Sequence, residues 1–212
     1  MDFCVKVVVL KQILIVIFYV IFSFPASANI PQVLFEKTGS WVKHVDLSPV
    51  SKAKTEGSVR YLLFDNQIDI RTQSKKQFFH YATQPISEQG LTNISQVEVG
   101  FSPKYEKLIF HSIQVIRNGE RINKLDESKL KVFQQEDQLK ENLYSENWKA
   151  LFILEDIRVD DIIEYSYTII GTNPVLGKKS FGSSPLSWSV PVEMTNFRLI
   201  SDAKEKLKID VH

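Results

Sequence analysis

The chain has a single cysteine, Cys4, and it precedes the apolar stretch at the amino terminus. That stretch has the features of a removable leader, so a mature chain has no thiol. Cysteine-nucleophile chemistry and disulfide cross-links are then excluded, and the core must hold the fold unaided. A lipid-modified cysteine is excluded as well, since it would have to follow the apolar stretch. Excess charge of either sign is also missing, with 26 Lys and Arg against 25 Asp and Glu. Such a balance leaves no electrostatic footprint for nucleic acid or an acidic lipid surface. The short motifs of common chemistries are absent too. There is no Walker loop, no G-x-G-x-x-G and no G-x-S-x-G elbow. His44, His80, His111 and His212 have none of the local spacings of a metal pair. No cofactor or metal is expected on these grounds. No segment sustains a helical period, and no repeat or low-complexity tract occurs.

The leader itself is well defined. Lys6 and Lys11 give it a basic start, Ile13 to Phe24 is almost wholly apolar, and Pro25 precedes Ala26-Ser27-Ala28. A basic start, a short apolar core and an A-x-A site are the parts of a secretory signal peptide. Residues 1–28 are therefore expected to form a signal helix cleaved after Ala28, which sends the protein to the periplasm or outside the cell. Removing 28 of 212 residues leaves 184 and takes away Asp2, Lys6 and Lys11, so the mature net charge is zero. An uncleaved leader would be the one route to the membrane. A chain of 184 residues can bury one good core.

Residues 29–56 read as an N-terminal extension, mixed in character, with Ser48-Pro49 and a polar run to Gly57 forming loop. From 57 to 212 the pattern is that of strands. Tyr61 to Arg71, Lys76 to Thr83, Val97 to Phe101 and Lys107 to Arg117 are apolar, aromatic or alternating. Asn118-Gly119 follows at once and supplies the positive-φ pair of a type I′ hairpin turn. Leu125 to Glu141 suits a short helix or an irregular strand. Trp148 to Ile157 is apolar again. In Ile162 to Ile170, Ile163, Tyr165, Tyr167 and Ile169 share one face, with Glu164, Ser166 and Thr168 opposite. That is the pattern of a half-buried antiparallel strand. Trp188 to Val192, Asn196 to Ile200 and Leu207 to Val211 are further strand candidates. Many short strands with turns between them predict an all-β fold, an antiparallel β-sandwich.

Candidate chemistry is sparse. His111 shares its predicted strand face with Ile109, Ile113 and Val115, which suits a hydrogen-bonded core histidine, with a ligand or base as the alternative. His80 stands among Phe78, Phe79 and Tyr81, where packing is its expected role. Carboxylates gather at Glu155-Asp156, Asp160-Asp161 and Glu164 without the spacing of a calcium loop, as solvated turn charges do. Rings are plentiful, and Trp41, Trp148 and Trp188 are candidates for a surface that grips sugar or peptide.

Several ordered pieces resemble a known family. They are Gly57 with Tyr61-Leu62-Leu63-x-Asp65-x-Gln67, Gly90-Leu91, Ser95, Phe101-Ser102-Pro103-x-Tyr105-x-x-Leu108 and His111-x-Ile113-x-Val115-x-Arg117-Asn118-Gly119. The most specific is Leu154-Glu155-Asp156-Ile157-Arg158-Val159-Asp160-Asp161-Ile162-Ile163-Glu164-Tyr165-Ser166-Tyr167-Thr168, closed by Gly171-x-Asn173-Pro174 and Phe181. Together, over Trp41 to Ile200, they resemble the bacterial domain of unknown function 3857, an exported module found ahead of transglutaminase-like domains. The resemblance implies a β-sandwich and a papain-like partner domain with a cysteine, histidine and aspartate triad. It carries no catalytic residue onto this chain.

Two expectations follow. The first is a non-catalytic accessory or binding module that contacts a transglutaminase-like domain or a cell-envelope protein or polymer. The second is a small cell-envelope hydrolase acting through His111 or His80 with a carboxylate or serine. A concave site in which histidine, carboxylate and serine converge would favour the second.

Overall fold

The computed structural model describes residues 30–47, 57–134, 147–177, 184–185, 188–202 and 208. The chain divides into two compact units, 1–30 and 31–212. The expected signal helix belongs to the first and lies outside the described residues, as does the strand expected at Leu207 to Val211 except for Lys208, which is exposed and outside any strand. Among the described residues, no helix is long and apolar enough to cross a membrane.

The second unit is a β-sandwich of two sheets. The larger contains β1 (Leu34–Phe35), β2 (Val59–Asp69), β3 (Lys76–Pro85), β5 (Glu106–Arg117), β6 (Glu120–Asn123), β9 (Ile162–Gly171) and β10 (Thr195–Ile200). Its order is β1-β5-β9-β3-β2-β10, with β6 also paired to β5. The smaller contains β4 (Gln96–Phe101), β7 (Lys131–Gln134) and β8 (Trp148–Ile153), in the order β4-β8-β7. Pairing is antiparallel except at β1 with β5 and β10 with β2, which run parallel. The parallel pairs depart from a purely antiparallel expectation. Neither β1 and β5 nor β2 and β10 are consecutive in the chain, so no tight hairpin, which would force antiparallel pairing, joins them.

The core lies between the sheets. Val97, Val99, Phe101, Ala150 and Phe152 of the smaller sheet meet Leu108, Phe110, Ile113, Val115, Ile163 and Tyr167 of the larger. Phe110 and Phe152 meet edge to face with centroids 5.2 Å apart. Each such fully buried ring contributes about 1.5–3 kcal/mol by leaving water. Tyr165 and Ile169 pack half-buried against the same core, so the alternation in β9 has the expected register. Burial pushes the phenols of Tyr165 and Tyr167 upward, which keeps both rings neutral.

Local chemistry explains several elements. Asn118 and Gly119 take φ of 53° and 85°, and Arg117 pairs with Glu120, so the two-residue hairpin forms as its residue types require. Leu125 to Glu141 yields a 3₁₀ turn at Glu127–Lys129 and then β7, while residues 135–146 lie outside the described ones. Trp188 to Val192 is not a strand. It bends at Ser189-Val190 and makes a single bridge from Val192 to Tyr61. A helix, α1 (Glu88–Ile94), was not legible from periodicity because it spans under two turns. Ser87 caps it, its hydroxyl accepting from the Gly90 N–H at 3.3 Å.

Candidate functional site

The two faces of the larger sheet differ in chemistry. One is apolar and packs on the smaller sheet. The other carries a transverse polar row across five strands, in which Asn196, Asp65, His80, Ser166 and Ser112 stand opposite one another in register. The next row includes Ala82, Glu164 and Gln114. Asp65, Gln67, His80, Glu164, Ser166 and Thr168 are all buried. β9 is therefore covered on both sides, not half-buried as the alternation predicts.

The cover comes from the segment following β1. Residues 36–47, read from sequence as part of an extension, run across the polar face and are tied to it by side chains. Gln67 brackets Lys43, accepting from its N–H at 2.8 Å and donating to its carbonyl at 2.6 Å. Arg198 donates to the Trp41 carbonyl at 2.7 Å. Val45 and Leu47 pack on Leu62, Leu63 and Ala82. Val33, just upstream, is buried in the main core. This strap belongs to the sandwich physically, because buried polar groups on the sheet find their partners in its backbone.

His111 is one of those ties. Its Nδ1 lies 2.8 Å from the Glu36 carbonyl and its Nε2 2.7 Å from Thr168 Oγ1. A carbonyl only accepts, so Nδ1 carries the proton and a neutral ring accepts from Thr168 at Nε2. Burial pushes the His111 pKa down, against a smaller opposing effect of the Glu36 carbonyl. The face assignment also needs correction. A bulge between Phe110 and Ser112 inserts His111, so it shares the polar face with Ile109 while Ile113 and Val115 face the core.

Beneath the strap lies a cavity of about 420 Å³. Its floor includes Phe78, His80, Ser112, Gln114, Arg121, Glu164 and Ser166, and its roof comes from Thr38 to Val45. His80 Nε2 and Glu164 Oε1 are 2.8 Å apart, and Arg121 Nη1 bonds Glu164 Oε2 in a very short contact. Burial pushes the Glu164 carboxyl upward, but the hydrogen bonds from His80 and Arg121 outweigh it and hold it below its ordinary value. Glu164 is thus an acceptor, and His80 donates to it from Nε2. Ser112 and Ser166 hydroxyls bond each other at 2.8 Å. No hydroxyl is hydrogen-bonded to His80 among the described residues. None of these residues forms a group of three or more able to hold a metal ion.

The remaining sequence candidates lie apart from the cavity or at its edge. Trp41 is half-buried in the strap with its indole beside Gly39. Trp148 packs against the main core. Trp188 is 40 % exposed and sets its ring edge-on to Phe64, with centroids 4.7 Å apart. The gathered carboxylates serve arginine. Arg117 forks onto Asp161 at 2.9 and 2.8 Å and reaches Asp156, which Arg158 also holds. Glu155 pairs with Lys129. Hydrogen bonds donated to Asp161 and Asp156 raise the Arg117 pKa and keep it charged. His80, Glu164, Arg121 and the serine pair were missed as a group. The available signal was the polar half of the β9 alternation, which matters only once something covers it.

The model of the family described as Domain of Unknown Function with solved structure, DUF3857, matches residues 71–212. The chain belongs to the DUF3857 family. The match takes in the hairpin, the Arg117 clasp, β9 and every floor residue named above, while the strap lies ahead of it. A solved structure from Parabacteroides distasonis ATCC 8503, described as a "putative protease", is similar with a TM-score of 0.49 and 11 % identity over 54 % of this chain. This chain spans 23 % of that protein's length. Comparison with the curated proteins gives no match.

Proposed function

We propose that this DUF3857 chain is a non-catalytic accessory or binding module of the cell envelope, exported by its leader and acting by contact. Its partner on this reading is a transglutaminase-like domain, or an envelope protein or polymer. One observation carries the reading: the polar cavity is built to hold, without a nucleophile and base in bonding distance. Nucleophilic catalysis needs a hydroxyl whose proton an adjacent base can take. Within the cavity lining the serine hydroxyls bond each other and His80 is held by Glu164, while His111, outside that lining, spans the Glu36 carbonyl of the strap and the Thr168 hydroxyl of β9.

The hydrolase reading keeps one specific support. Ser166 stands directly opposite His80 in register, beside Glu164 and within one cavity. The test is turnover of peptide, ester and glutamine-donor substrates by purified protein. The binding-module reading expects none. Turnover that disappears in both His80→Ala and Ser166→Ala would overturn it and establish a histidine-carboxylate-serine site.

A further inference from the structure

The cavity holds more hydrogen-bond donors than its own residues use. Arg121 commits Nη1 to Gln114 Oε1 and Glu164 Oε2, and its Nε and Nη2 donors have no partner among the described residues. Gln114 accepts through Oε1 and leaves its amide N–H groups unspent. The Ser112–Ser166 pair shares one proton and keeps a second to donate. Both oxygens of the Glu164 carboxylate, by contrast, are engaged, one on His80 and the other on Arg121. Asp65, opposite His80, is turned away to Gln67 and Asn196 at 2.9 and 2.7 Å. Lys43 adds an exposed donor from the strap, where His44 is paired with Asp46 at 2.9 Å. Arg121, half-exposed at the cavity, balances the charge of Glu164, Lys43 adds a positive charge, and the unused donors suit an anionic acceptor. The planar fork of a guanidinium matches a carboxylate in two parallel bonds. A volume of about 420 Å³ falls within the range of small-ligand sites.

We propose that the cavity binds the carboxylate of a small polar ligand, with Arg121 as the anchoring fork and Gln114 and the serine pair as neighbouring donors. The inference rests on the binding-module reading and names its ligand chemistry. A peptide chain end and an acidic sugar both supply that group.

The experiment is calorimetric titration of the whole chain, expressed with its leader and purified, with three probes: N-acetyl-alanyl-alanine, its carboxamide, and glucuronate. At least one of the two acids should bind at least ten-fold more tightly than the carboxamide, and which one binds identifies the source. Arg121→Ala should weaken that binding ten-fold or more. Arg121→Lys keeps a charge beside Glu164 but loses the fork, and should also weaken it while melting like the parent. Equal binding of acid and amide, or binding unchanged in Arg121→Lys, overturns the carboxylate inference and leaves the binding-module reading standing. Absence of binding by all three probes overturns the inference too. Hydrolysis of N-acetyl-alanyl-alanine overturns the binding-module reading itself.

Discussion

A neutral His111 holds two elements together, and its protonation should loosen them. Its native pKa lies below the ordinary histidine value, so the unfolded chain binds the proton more readily. The stabilisation is complete above about pH 6.5 and is lost as pH falls through the lowered native pKa. Urea titrations across this range should show stability declining with acid, with a shallower decline in His111→Gln. An equal decline in both would remove His111 from this role. Glu164 acts in the same direction at lower pH, its stabilisation present above the ordinary glutamate range and fading as pH drops through its depressed native value. Deep in the core, Tyr167 is 8 % exposed and touches Phe79, Tyr81 and Phe110. Tyr167→Ala should cost about 3–5 kcal/mol in chemical denaturation. A loss under about 1 kcal/mol would place the ring outside the core.

At the scale of elements, backbone approach outweighs propensity. In an exposed helix, replacing glycine by alanine gains about 1 kcal/mol. In α1, however, a Cβ on Gly90 would sit 2.0 Å from the Ser58 carbonyl oxygen, which already accepts from the Ile86 N–H at 3.0 Å. Gly90→Ala should therefore destabilise the fold by about 1–3 kcal/mol, as overpacking does. Thermal unfolding of the variant reads the sign, and a rise in melting temperature would refute the close approach. The same scale explains β5. Period two assigns His111 to the face of Ile113 and Val115, yet the bulge at His111 moves that side chain to the polar face, where Glu36 and Thr168 are. Bulges respond to what a neighbouring segment needs, so strand periodicity does not reveal them.

For the whole molecule, the strap should count as part of the domain. Val33 lies in the main core, Phe35 packs on Phe110 and Phe152, and Gln67, His111 and Arg198 find partners in the strap backbone. A chain beginning at Gly57 should melt more than about 10 °C below one beginning at Asn29, from the lost apolar burial alone. Equal melting of the two would make residues 29–56 a dispensable extension. Export should leave Asn29 as the first residue, which N-terminal sequencing of the secreted protein would read. Intact Met1 in a membrane fraction would instead indicate an anchor.

The strands, the hairpin and the register of the apolar face were legible in the sequence, because they follow from local rules. Period two assigns Ile163, Tyr165, Tyr167 and Ile169 to one side, and Asn118-Gly119 sets the turn. The family resemblance was legible because its ordered motif residues stand in the chain itself, although the clasp that two of them form, Arg117 on Asp161, joins residues 44 apart. What only the tertiary structure decided is the fate of the polar face. Glu164, Ser166 and Thr168 read as solvated, and they are buried because a strap from far along the chain covers them. The partners in that site lie 43 residues apart for Arg121 and Glu164, and 84 for His80 and Glu164. Contacts of that separation depend on strand order, which no local pattern encodes.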